Sequence, residues 1–264
     1  MIGPVYVEAV GLAAPGLPGW SRSLEVLDGS RAWVEESEVR FVPTLLPANE
    51  RRRATDTIRR AFQAGEDVRE RSVLDFSQLA TVFATSDADM GIIHRISCAL
   101  AEPQRMVSPT DFHNSVHNAA SGYWSIAVQQ RTAASAVAAY DGSAACGLLE
   151  AATLSLIDGP DSLLLAYDVP GPAPLLACRP LSVPAGVALT LSAHRPARAL
   201  ASLNLSLCEE PETTLSDAAL ETLRLGNPAL RLLPALRLLA LRKAGRIVLG
   251  YGRQGGLAVE VQPL

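Results

Sequence analysis

The sequence predicts an α/β protein built around a largely buried sheet, and two features of it carry that reading. Short runs of continuous apolar, β-branched residues recur along the chain, as in strands covered on both faces, and helical apolar periodicity returns between them. The pattern is plainest where AASAVAAY (133–140), DGSAACGLLEAATLSLIDG (141–159) and DSLLLAYDV (161–169) follow one another, a strand, helix and strand in the order of a βαβ crossover.

The other elements follow in order. Residues 5–10 form a buried first strand that ends at Gly11. The segment ANERRRATDTIRRAFQAGEDV reads as a helix with Ala54, Ile58, Ala61 and Phe62 on one face, Gly65 as its C-cap and its arginines on the other faces. LATVFATSDA (79–88) is a strand closing in a polar turn, and GIIHRISCALA (91–101) is a helix. Residues 108–132 open with the helix-start signal Ser-Pro-Thr-Asp and read as a buried helix interrupted near Gly122. The helix over 141–159 runs from Asp141 and Ser143 at capping positions to Gly159. Residues 170–186 make a Pro- and Gly-rich loop, and 187–193 a strand with which 202–207 is expected to pair. The acidic stretch 209–218 is a solvated connection. Residues 219–245 are helical, with Pro228 and Pro234 near helix starts, and 247–261 are two strands about a Gly-rich turn.

Length and composition narrow the function. A chain of 264 residues can bury one large core, so a single domain over 1–264 is expected. Apolar residues at 48% and charged residues at 19% suit a buried sheet and a subunit interface. A net charge of -4 offers no general attraction to phosphate, and no nucleic-acid partner is expected. The first residues lack a basic n-region, and Gly3, Pro4, Gly11, Pro15 and Pro18 break their apolar run, so neither a signal peptide nor a membrane span is expected. Cys98, Cys146, Cys178 and Cys208 show no C-x-x-C spacing, which points away from zinc and disulfides and toward a reduced, cytoplasmic setting. No cofactor or metal is expected.

Several side chains are candidates for chemistry. Ser143, at a strand-to-helix turn, is either a helix cap or a nucleophile facing helix N–H groups, although the surrounding pattern is not G-x-S-x-G. Cys146 lies about one turn further on, where a thiol behaves as a small hydrophobe. His113 and His117 have the i, i+4 spacing of metal ligands, but Asn114 stands where H-E-x-x-H has its Glu, and a hydrogen-bonded surface pair is the plainer reading. Tyr123 and Trp124 belong either to the core or to a tunnel or partner surface. Arg51, Arg52, Arg53, Arg59 and Arg60, and separately Arg231, Arg237, Arg242 and Lys243, are solvated faces or docking patches for an acidic helix.

Two stretches carry a resemblance to a known family. AVAAYDGSAACGLLEAATLSLIDGPDSLLLAYDV resembles the part of β-ketoacyl synthases in which the nucleophilic cysteine sits at a sharp strand-to-helix turn. HNSVHNAASGYWSIAVQQRTAASAV resembles the helix and loop that lead into it. With VYVEAVGLAAPG and the helix 50–65, residues 1–193 resemble the N-terminal half of ketosynthases, and 194–264 a shortened C-terminal part. More narrowly, the chain is similar to the short ketosynthase-like subunits of aryl polyene and xanthomonadin-type pigment pathways, which act beside a full ketosynthase as a chain length factor does.

The resemblance implies a thiolase-like layered fold (α/β/α/β/α-type) with an abbreviated C-terminal half. It also implies a heterodimer with a full-length β-ketoacyl-ACP synthase, and acyl carrier protein as a further partner. Two departures bear on activity. The position of the family's cysteine falls at or beside Gly142, within Asp141-Gly142-Ser143, and holds no thiol. The family's pair of C-terminal histidines has no counterpart, because His194 is the only histidine beyond residue 117. The chain is therefore expected to catalyse nothing alone and to shape a partner's acyl tunnel. Residues 108–145 are the expected interface. His117, Asn118, Tyr123, Trp124, Tyr140, Asp141, Gly142 and Ser143 are the interface or tunnel candidates, and bulk near Tyr140, Asp141 or Ser143 would limit chain length. The alternatives are a stand-alone acyltransferase or thioesterase acting on carrier-bound acyl groups through Ser143, and a scaffold that recruits carrier protein.

Overall fold

Eight strands form wherever the chain runs apolar or alternates, and in the computed structural model, which describes residues 1–37, 39–252 and 255–264, they join one sheet. Strand β1 (Ile2–Ala13) is followed by α1 (Trp20–Leu27), α2 (Ala48–Arg53) and α3 (Asp56–Arg69). Next come β2 (Ala80–Ala84), α4 (Met90–Ala101), α5 (Pro109–Asn114) and α6 (Ala119–Val128). The crossover is β3 (Ala134–Val137), α7 (Ser143–Thr153) and β4 (Ser162–Asp168). The chain ends with α8 (Ala173–Leu176), β5 (Ala185–Ser192), β6 (Ala201–Cys208), α9 (Ala218–Gly226), α10 (Leu233–Ala240), β7 (Gly245–Tyr251) and β8 (Gly255–Pro263).

The strand order is β3-β2-β4-β5-β1-β6-β8-β7. β2 runs parallel to both β3 and β4, so α7 carries the chain over β2, and the remaining pairings are antiparallel. Every residue of β2, β4 and β5 is buried, as expected of apolar runs covered on both faces. One face packs Val82, Leu164 and Val187 under α7, α9 and α10, and the other packs Phe83, Leu163, Leu165 and Ala188 under α3 and α6.

Four expectations need correction. β6 pairs with β1 and β8, not with β5, because the 12-residue β1 offers both its edges and lies between them. The helix expected over 50–65 is two helices: the chain is extended at Ala54 and Thr55, and the Thr55 hydroxyl caps α3 by accepting from the Ile58 N–H at 3.3 Å. Gly65 is no cap, since α3 runs on to Arg69 and Gly65 is small to admit the Trp124 ring. The break expected near Gly122 falls at 115–118, and Gly122 lies inside α6.

The other boundaries match closely. Ser108 caps α5 by accepting from the Asp111 N–H, Asp89 caps α4, and Gly159 ends the α7 segment with φ 92°. Pro228 opens a 3-10 turn and Pro234 lies in the first turn of α10. The expected turn between β7 and β8 includes residues 253 and 254, which lie outside the described residues.

Candidate functional site

The parallel strands β2, β3 and β4 end side by side, and in open α/β sheets the ground beyond such carboxyl ends is where sites form. Here it is filled with charge. After β3 comes a 3-10 turn, Tyr140–Gly142, which leads into α7. After β2 comes Asp87, and β4 ends at Asp168.

Arg179, from the loop before β5 and 7% exposed, joins two of these ends. Its Nε lies 3.0 Å from Asp87 Oδ2 and its Nη1 2.7 Å from Asp141 Oδ1. The guanidinium carbon stands 3.7 Å from the centroid of the Tyr140 ring, a cation–π contact. Arg231 continues the chain of ion pairs, 3.5 Å from Asp141 Oδ2 and 2.8 Å from Glu212 Oε2. Arg224, 2% exposed, lies 2.9 Å from Glu212 and grips Glu221 through both carboxylate oxygens at 2.7 and 2.8 Å. A buried guanidinium demands such partners, and the planar fork suits bidentate carboxylates.

Within the turn, Ser143 is 1% exposed. Its hydroxyl donates to the Tyr140 carbonyl at 2.7 Å and accepts from the Ala139 N–H at 2.9 Å. It therefore pins the turn before α7 and does not cap the helix itself, whose first residue it is. Among the described residues no hydrogen bond joins it to an imidazole, an amine or a carboxylate, so nothing there acts as the base an activated serine requires. Gly142 is also buried: a Cβ there would stand 3.1 Å from the Gly250 carbonyl oxygen and 3.5 Å from the Gly252 N–H nitrogen, because the end of β7 closes over the turn. Cys146 is half-buried inside α7, and burial pushes its thiol pKa up, away from thiolate.

Asp168 is 1% exposed. Its Oδ1 accepts from the Thr85 hydroxyl at 2.8 Å, the Ser86 N–H at 2.8 Å and the Ser86 hydroxyl at 3.0 Å. Among the described residues its Oδ2 is buried without a hydrogen-bond partner. Burial pushes its pKa up to about 7 against the pull of those donors.

The structure sorts the remaining candidates. Tyr123 and Trp124 make their contacts within the core. The Tyr123 hydroxyl donates to Asn114 Oδ1 at 3.0 Å, and Trp124 stands edge-on to Phe62 with centroids 5.2 Å apart. His113 lies on α5 and His117 beyond its end, so one helix does not align them, and His113 stands edge-on to Tyr123 instead. His117 Nε2 is buried and has no hydrogen-bond partner among the described residues, while Asn118 is exposed just ahead of α6. Several arginines of the expected docking patches bind backbone: Arg51 donates to the Leu46 carbonyl, Arg59 to those of Phe41, Arg51 and Ala54, and Arg237 to that of Leu27. Arg60 is buried, not on a solvated face.

The residues that sequence reasoning missed are Arg179, Arg224, Asp87, Asp168 and Glu212. Arg179 meets partners 92 and 38 positions away. Its only signal was an arginine set in the otherwise apolar PLLACRPL.

Residues 22–236 match the family model described as the beta-ketoacyl synthase N-terminal domain. No curated protein matches the sequence. Among solved structures, the ketosynthase ApeO in complex with its chain length factor ApeC from Xenorhabdus doucetiae is similar over 98% of this chain and 99% of that chain, at 21% identity and TM-score 0.72. AntDE:AntF, a type II polyketide synthase acyl-carrier protein in complex with its ketosynthase, is similar over 100% of both chains at 12% identity and TM-score 0.77. The ishigamide ketosynthase/chain length factor covers 99% of each at 12% identity and TM-score 0.73. At such identities the likeness is one of fold.

Proposed function

The chain belongs to the β-ketoacyl synthase family, with that family's thiolase-like α/β fold, and from this premise we propose that it is a non-catalytic, chain-length-factor-like subunit. It pairs in the cytoplasm with an active β-ketoacyl-ACP synthase to elongate a carrier-bound acyl chain of the polyene or polyketide kind. One domain over 1–264 does this, with 1–193 as the ketosynthase N-terminal half and 194–264 as a shortened remainder.

The observation that carries the proposal is the turn after β3. Where a ketosynthase needs a thiolate at a helix N-terminus, this chain has Asp141 bound to Arg179 and Arg231, Gly142 closed over by Gly250, and a buried Ser143 whose hydroxyl is spent on backbone. A nucleophile here would have neither a base nor an approach. The same arrangement speaks against the stand-alone acyltransferase.

A surface for the partner lies nearby. Among the described residues β3 ends the sheet with its outer edge unpaired, and its residues are exposed or half-buried. Phe112, Val116 and Ile126, within 108–145, are 71%, 51% and 57% exposed. No helix among the described residues is long and apolar enough to cross a membrane, so a protein partner is the simplest cover for such groups.

The test is co-expression with a ketosynthase encoded beside this chain, followed by size-exclusion chromatography with mass and by elongation with malonyl-loaded carrier protein. A one-to-one complex that elongates only when both subunits are present is expected. Turnover by this chain alone would overturn the reading and return attention to Ser143.

A further inference from the structure

Tyr140 differs from every other residue of its turn. Gly142 and Ser143 are buried and Asp141 is tied to two arginines, whereas the Tyr140 side chain stands 57% exposed. Its φ is 54°, a left-handed conformation that a bulky side chain adopts only where its surroundings hold it there. Its surroundings enforce that conformation. Arg179, fixed by Asp87 and Asp141, lies against one face of the ring, and the Tyr140 carbonyl accepts the Ser143 hydroxyl. The ring is thus held from one side and open on the other, at the end of the strand whose outer edge is unpaired.

Such a group suits an interface. An aromatic ring brings large apolar area with few rotors, and one already held in place loses little entropy when a partner covers it. Ile126, on the helix that packs against β3, adds exposed apolar surface. The occupant that fits is the edge of a second sheet of this same fold, because β3 presents unpaired backbone groups that only another extended strand can match.

We infer that Tyr140 is the aromatic anchor through which this chain seats on its ketosynthase partner, and that Arg179 is the residue that positions it. The inference rests on the heterodimer proposed above.

The test uses the co-purified complex, with its dissociation constant measured by dilution and its product lengths by mass spectrometry. Tyr140→Ala weakens association by roughly 30-fold. Tyr140→Phe stays within about threefold, since ring and stacking remain. Arg179→Lys keeps the charge but loses the flat fork, and falls between them while the thermal unfolding of the complex holds. Should Tyr140→Ala not yield folded protein, the other two variants decide: weakened Arg179→Lys with intact Tyr140→Phe supports the anchor, and wild-type affinity in Arg179→Lys overturns it. An unchanged dissociation constant for Tyr140→Ala overturns it as well. A changed product length at unchanged affinity does the same and moves the ring into the acyl tunnel. If the wild-type chains form no complex, the subunit reading itself fails and the anchor fails with it.

Discussion

The Arg179 guanidinium lies 2.7 Å from Asp141 and 3.0 Å from Asp87, so one buried side chain ties the end of β3 to the end of β2. Both carboxylates come from turns at the carboxyl edge of the sheet, and the arginine comes from a loop that the sequence places far from either. A charge this deep is tolerated only because its partners are in place.

Replacing Arg179 with Met should therefore be costly. Asp87, whose side chain is 16% exposed, would lose its countercharge, and Asp141, at 46%, would keep only Arg231 at 3.5 Å. The loss expected is about 2–3 kcal/mol, below the usual figure for breaking a buried pair because Asp141 stays half in water. The urea midpoint followed by tryptophan fluorescence measures it, and a change under about 0.5 kcal/mol would show the network to be ornamental.

Ser143→Ala separates structure from chemistry. The Ala139 N–H loses its acceptor, for a stability loss of about 1 kcal/mol. Elongation by the complex should be unchanged, and its abolition with the fold intact would revive the serine as a nucleophile.

Gly65→Ala sets helix propensity against packing. Alanine is better by about 1 kcal/mol in a helix, but its Cβ would stand 2.5 Å from Trp124 Cζ3. Overpacking of this kind costs about 1–3 kcal/mol, so net destabilisation is expected. Gly65→Ala combined with Trp124→Phe should recover part of the Gly65→Ala loss, read as a coupling energy in a double-mutant cycle of unfolding midpoints.

Asp168 gives a pH dependence whose sign follows from its pKa of about 7 in the fold. The folded protein holds this proton to higher pH than the unfolded chain, where Asp titrates near 4. Its relative stability is thus fully present below about pH 4, falls as the pH rises toward about 7, and is level above that. In Asp168→Asn the amide oxygen can accept the same three donors, and this portion of the slope disappears. The difference between wild type and variant should shift by on the order of 2 kcal/mol between pH 4 and pH 8, in favour of the variant at high pH. Parallel stability–pH curves for the two would count against a buried, proton-holding carboxyl.

The sequence spoke clearly where local physics decides. Ser108 and Gly159 stand at helix ends because capping is a contact among neighbours in the chain. The crossover from β3 through α7 to β4 was legible because apolar period and punctuation suffice to mark it. Gly65 and Gly122 misled for the opposite reason. A glycine that ends a helix and one that makes room for another element look alike in sequence, and only the Trp124 ring distinguishes them at Gly65.

The sequence by itself thus determined the α/β class, most of the elements, the family resemblance and the missing thiol at Asp141-Gly142-Ser143. Tertiary structure alone decided that β1 lies between β5 and β6, that Tyr123 and Trp124 pack in the core, and that Ser143 is sealed within its turn. It alone brought Asp87, Asp141 and Arg179 together. The physical reason is one of range: propensity, capping and periodicity act over a few residues, whereas a buried ion pair or a ring seated on a glycine needs partners that only the folded sheet brings within reach.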